Sequence, residues 1–289
     1  MAGFLFSLIN LPSLSAVQIA GFDTFVNDRF TNDSSFVANQ FDLSGVGLNG
    51  RWATMISENV YITAEHFSPV IGSSMTFYSG NDPAGISVTR QITSTRLQIQ
   101  NTDILIGTLD SVLPAGFSFF DFATEDISTG PGSGPGSFAQ SSYNNANAFV
   151  FGRSPTAWST SQDMAVGRNV LNGFNFRIVS GANEGPSIEA SDDGLSGVSS
   201  EAMLQGGDSG GPLFVENAQG RLTIVGVNWF IADTNEDAIN DIFGVSYLGN
   251  HDAEIQAFID ANAVPEPSAL ALLLGLMSCA YLLLSRRSY

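Results

Sequence analysis

Residues 203–214 read MLQGGDSGGPLF. Four glycines surround one serine, Ser209, with Asp208 before it and an apolar run, Leu213-Phe214-Val215, behind it. A short glycine cluster that runs straight into a strand pattern implies fixed, sterically demanding turns, with a backbone that something must approach closely. A serine hydroxyl is a weak nucleophile until a base takes its proton, and the base needs a third group to orient it. The meaning of Ser209 therefore depends on where the histidines and carboxylates fall.

The chain has two histidines. His66 ends an apolar strand pattern, NVYITAEHF (59–67), at a T-A-x-H turn, whereas His251 stands beside Asp252 at the start of an amphipathic helix pattern, GNHDAEIQAFID (249–260). A histidine at a helix start reads as a structural or surface residue. His66 is the candidate base. An orienting acid is offered by NTDILIGTLD (101–110), where Asp103 precedes an apolar run and Asp110 follows it.

Three stretches, TAEH (63–66), TDILIGTL (102–109) and GGDSGGPL (206–213), come in the order His, Asp, Ser. Together they resemble the trypsin-like (chymotrypsin-fold) serine endopeptidases, in which that order is characteristic. The resemblance extends over roughly residues 40–262, weakly over 68–100 and 110–147. It implies an all-β fold of two six-stranded antiparallel barrels, approximately 40–127 and 146–250, in a domain spanning 21–262 with a closing helix at 251–262. It also implies a catalytic triad of His66, Asp103 and Ser209, with the N–H groups of Gly207 and Ser209 forming an oxyanion hole. The substrate pocket would be lined by Met203, Asn228, Trp229, Phe230 and Gly244. No metal or cofactor is implied. In many members the residue matching Asp208 pairs with an N-terminal ammonium released by cleavage after a basic residue. Here no basic residue precedes QIAGF (18–22), so removal of a signal near Ala16 to Ile19, or an internal arginine, would have to serve.

Short apolar runs bounded by Gly, Asn, Ser and Asp recur before residue 251, the pattern of an all-β chain, and 289 residues suffice for one two-barrel unit. STGPGSGPGSFAQSSYNN (128–145) reads as a linker between the barrels or an exposed insertion. The formal charge is −18 and all ten basic residues are arginine, which excludes nucleic acid as a partner because phosphate binding needs a basic face. The single cysteine, Cys279, leaves the domain without a disulfide. DTNEDAINDIFG (233–244) begins like a calcium loop, but it has Ala238 where glycine is needed and Gly244 where a glutamate belongs. It reads as a solvated acidic turn.

The C-terminal segment 264–289 holds a P-E-P triplet, an apolar run from Ala269 to Leu284, and Arg286-Arg287. It resembles the PEP-CTERM sorting signal of Gram-negative bacteria, implying an apolar anchor helix, an exosortase-type processing enzyme as partner, and a site of action at the cell surface or outside the cell. A plain membrane anchor is the alternative. Residues 1–20 carry the apolar core of a signal peptide without its basic start. The expectation is an exported serine endopeptidase acting on proteins or peptides through an acyl-enzyme, with small or medium apolar residues preferred at P1. The rival is a catalytically silent adhesion or binding module on the same fold.

Overall fold

The computed structural model describes residues 16–127, 134, 136–156, 160–191, 198–232 and 241–264. The chain enters through a short strand, β1 (Gln18–Ile19), and one helical turn, α1 (Thr24–Asn27), capped by the Asp23 carboxylate, which accepts from the Phe25 N–H. Val17 is buried, so residues 17–19 belong to the folded body although the sequence places them in a leader. Just beyond α1, the fully buried Arg29 guanidinium donates to the carbonyls of Val46, Tyr78 and Gly80 and to Asn81 Oδ1. Burial lowers its pKa to about 9, and it ties the entering segment to the first barrel.

That barrel is closed. Its strands are β2 (Val46–Leu48), β3 (Trp52–Met55), β4 (Val60–Ala64), β5 (Ser74–Tyr78), β6 (Ser87–Gln98) and β7 (Ile104–Leu109), in the order β2-β3-β4-β7-β6-β5. Leu48 opposite Thr76 closes the ring. β4 and β7 are buried along their whole length, because successive side chains point to opposite faces and both faces are covered. Val60, Ile62, Ala64, Ile104 and Ile106 join the main core, which includes residues of the second half, whereas Tyr61, Leu105 and Leu109 join a separate cluster with Met55 and Phe77.

After the short strand β8 (Asp121–Phe122), the second half comprises β9 (Asn147–Gly152), β10 (Ala165–Val170), β11 (Gly173–Ser180), β12 (Asn183–Ser191), β13 (Ala202–Met203), β14 (Pro212–Glu216), β15 (Leu222–Ala232) and β16 (Ile242–Tyr247). β13 pairs with β1, and β8 runs parallel to β15. The others form an open sheet in the order β10-β9-β14-β15-β16-β12-β11. Two closed six-stranded barrels are expected from the sequence, but only the first half closes among the described residues. Setting β11 aside, the open sheet repeats the ring order of the first barrel, interrupted between β10 and β12. Only Leu171 and Asn172 separate β10 from β11, and it is β11 rather than β10 that pairs with β12, from Gly173–Glu189 to Ser180–Asn183.

Helix α2 (Asp252–Asn262) follows β16 and matches the expected closing helix. The expected anchor helix lies outside the described residues; among the described residues no helix is long and apolar enough to cross a membrane. The described end of the 128–145 stretch is packed rather than loose: the Phe138 ring stacks on Phe174, and buried Tyr143 meets Tyr247 edge-on.

Candidate active site

His66 follows β4 directly, and Asp103 immediately precedes β7, the neighbour of β4 in the barrel. The Ala64–Ile104 pairing brings the two ends together, and the Glu65 N–H donates to the Asp103 carbonyl at 3.0 Å. The Asp103 carboxylate is fully buried. Its Oδ2 lies 2.7 Å from His66 Nδ1, and its Oδ1 accepts the His66 backbone N–H at 2.9 Å. A third donor, Asn183 Nδ2, reaches Oδ1 at 2.7 Å. A buried carboxylate with three donors is a satisfied charge rather than an isolated one. The His66 side chain is 38% exposed, so its other ring nitrogen can face a substrate. Asp110 is exposed and its carboxylate accepts from the Gln91 N–H instead.

The serine loop packs directly on β4. Gly210, at φ +85°, would place a Cβ 2.6 Å from Thr63 Oγ1, three residues before His66. The loop is clamped on its other side, where the Gly210 N–H donates to the Asn228 carbonyl and the Asn228 N–H donates to the Gly211 carbonyl. Asn228 Nδ2 adds bonds to the carbonyls of Phe151 and Asp208. Within the loop the N–H groups of Asp208, Gly210 and Gly211 all find acceptors. Those of Gly207, at φ +106°, and of Ser209 find none among the described residues. Ser209 itself is half-buried, and its Oγ makes no hydrogen bond to His66.

Asp208 points away into the protein and is fully buried. It accepts from the N–H groups of Arg153 (2.6 Å) and Gln205 (2.8 Å), yet burial pushes its pKa up to about 7. The Arg153 side chain is engaged by Asp163. The Arg153 carbonyl accepts from the Val17 N–H at 3.0 Å. A Cβ built on Gly152 would come 2.5 Å from Val17 Cβ and 2.8 Å from Asp208 Cγ, so the entering chain lies against this carboxyl.

Beside Ser209 lies a small cavity of about 50 Å³, lined by Leu204, Gln205, Gly206, Asp208, Asn228, Trp229, Phe230 and Ile231. The Phe230 ring lies against Gly244, where a side chain would collide with it and with Ser187 Oγ. A β-bulge at Trp229 sets this geometry. Asn228, Trp229, Phe230 and Gly244 therefore cluster as the sequence suggests. Met203 does not line this cavity; it pairs with Gln18 and lines a neighbouring one with Ile19, Ala20 and Glu201. Leu204 and Gln205 line the cavity in its place. A larger cleft, about 710 Å³, is lined by none of the catalytic candidates, so size alone does not mark the site. His251 is buried with an ion pair only to Glu254 at 3.9 Å, and it makes no bond to the Asp103 cluster. Most of the 233–244 acidic turn lies outside the described residues, which contain no cluster of metal-ligating side chains.

Sequence reasoning missed Asn183, Leu204 and Gln205. Asn183 stands in S-G-A-N (180–183), which reads as an ordinary hairpin turn and carries no signal of a catalytic neighbour. No family model and no curated protein matches the chain.

Proposed function

We propose that the chain is a serine endopeptidase of the trypsin-like kind, with His66, Asp103 and Ser209 as its triad. The observation that carries this reading is the serine loop: Gly207 and Ser209 N–H groups free of acceptors, on a loop clamped by Asn228 and packed on the strand that leads into an Asp-bound histidine. Ser209 Oγ attacks the scissile carbonyl, His66 takes its proton and later returns it to the leaving amine, and Asp103 holds the imidazole in its tautomer. The two free N–H groups receive the oxyanion; losing one such donor typically costs about 10²–10³ in rate. Catalytic hydrogen bonds often tighten only when substrate is bound, which accommodates the open Ser209–His66 contact. The repeated strand order of the two halves supports the same kinship. The small cavity, walled in part by Leu204, Trp229, Phe230 and Ile231, favours small or medium P1 residues. Export is inferred from the P-E-P triplet and apolar run of 264–289.

The open Ser209–His66 contact is also what a catalytically silent binding module on this fold would show. A fluorophosphonate probe separates the two. Labelling of the wild-type protein, abolished in Ser209→Ala, is expected; no labelling under conditions where the protein is folded makes it a silent module.

A further inference from the structure

We propose that Asn183 is a positioning residue for the triad, an amide delivered from the second sheet that holds the Asp103 carboxylate against His66. The proposal rests on the endopeptidase reading. Asn183 begins β12 at the tip of the β11–β12 hairpin and is buried. Its Nδ2 donates to Asp103 Oδ1 at 2.7 Å and to Glu65 Oε2 at 3.2 Å. Its Oδ1 accepts from Gln98 Nε2 at 3.1 Å, and that same nitrogen donates to the Thr102 carbonyl at 2.9 Å. This pattern fixes which way the amide faces, because the flipped amide would turn its oxygen to two carboxylates and its nitrogen to a donor.

The hairpin is docked as well as its side chain. The Glu184 N–H donates to the Asn101 carbonyl at 2.8 Å, and a Cβ on Gly185 would sit 3.1 Å from Thr102 Cγ2. The tip therefore grips the turn that presents Asp103. Asn228, which crosses the serine loop, cannot supply this donor, since its amide is taken by Phe151 and Asp208. The β11–β12 hairpin is thus the element that completes the surroundings of the acid.

The charged groups around this amide are Asp103, Glu65 and His66 from the first barrel. On the hairpin, Glu184 is paired with Arg177, and Arg51 lies over the neighbouring Phe67 ring. A carboxylate at position 183 would meet two like charges at hydrogen-bonding distance. A neutral donor there favours ionised Asp103, and a third carboxylate raises the proton affinity of the whole cluster, His66 included.

The test compares wild type, Asn183→Ala and Asn183→Asp on a peptide substrate across pH, with Tm as the fold control. The loss of a hydrogen bond to a charged group predicts a fall in kcat of roughly 10- to 100-fold for Asn183→Ala, with KM within about twofold. Asn183→Asp moves the acid limb of the kcat/KM profile to higher pH. Wild-type kcat in Asn183→Ala overturns the proposal, as does a parallel loss of kcat, KM and Tm with the limb unmoved in Asn183→Asp. A second arm needs no turnover: the downfield proton resonance of His66 Nδ1–H in the Ser209→Ala protein should shift or broaden on adding Asn183→Ala. An unchanged resonance overturns the positioning role. Failure of wild type to label with fluorophosphonate sinks the endopeptidase reading instead, and leaves the resonance to decide the role of Asn183.

Discussion

In the proposed mechanism Ser209 and His66 take part in one proton transfer, so their losses should not add. Replacing either by Ala is expected to lower kcat by roughly six orders of magnitude, with the double variant little worse than either single one. Asp103→Asn should cost about four orders through the wrong tautomer, while Asp110→Asn, at an exposed carboxylate bonded to the Gln91 N–H, should be nearly silent. Reversed effects for the two aspartates would overturn the assignment. At the cavity, the Phe230 ring against Gly244 limits the space, and Asp208, the only carboxylate on the wall among the described residues, is turned to backbone donors. A P1 cation would enter unpaired at a cost of several kcal/mol. A P1-varied peptide library should show apolar preference, widened toward aromatics by Phe230→Gly; dominant cleavage after Arg or Lys contradicts this. The three motif residues were legible because the chemistry constrains their neighbours in sequence. Met203 is held opposite Gln18, a pairing of distant residues that its local sequence does not show, and Asn183 was invisible because its partner lies 80 residues away.

At the scale of elements, the strands and the closed first barrel were legible, and the path of the second sheet was not. Apolar runs such as YITA and ILIGTL announce buried strands, and α2 announces itself through its periodicity. Nothing in GFNFRIVS (173–180) says that this strand will lie along the outer edge of β12, since edge choice is settled by tertiary competition. The contact between serine loop and β4 makes an element-level prediction. Gly210→Ala imposes a left-handed backbone on alanine, about 1–2 kcal/mol, and drives its Cβ into Thr63 Oγ1. Thr63 Oγ1 is buried without a hydrogen-bond partner, so Thr63→Ala alone should be neutral or stabilising. The double variant should then recover part of the stability and labelling rate lost in Gly210→Ala, a coupling of about 0.5–3 kcal/mol. Strict additivity in urea melts would show that the loop does not rest on β4 as described.

The whole molecule joins its entering chain to its serine loop through Asp208. The sequence raised this question without answering it, because which residue meets Asp208 depends on β1 pairing with β13, a contact of residues nearly two hundred apart. In the continuous chain the Val17 N–H is an amide bonded to the Arg153 carbonyl, and Asp208 has only backbone donors. Its folded pKa, about 7, stands above the ordinary 3.8 through burial. The folded state therefore binds the extra proton, so this stabilising contribution is full at acid pH and is lost as pH rises from about 4 to 7, by up to about 4 kcal/mol. Cleavage before Val17 would create an ammonium beside that carboxyl, favour its ionised form and flatten the slope above about pH 4. A chain beginning at Val17 should accordingly hold its Tm between pH 5 and 7, whereas the chain that keeps its preceding residues should lose Tm over that range. Acetylating the Val17 amine should restore the loss, and fluorophosphonate labelling should be faster in the free-amine form. Identical pH profiles for the free and acetylated proteins would show that the entering chain leaves Asp208, and with it the serine loop, unaffected.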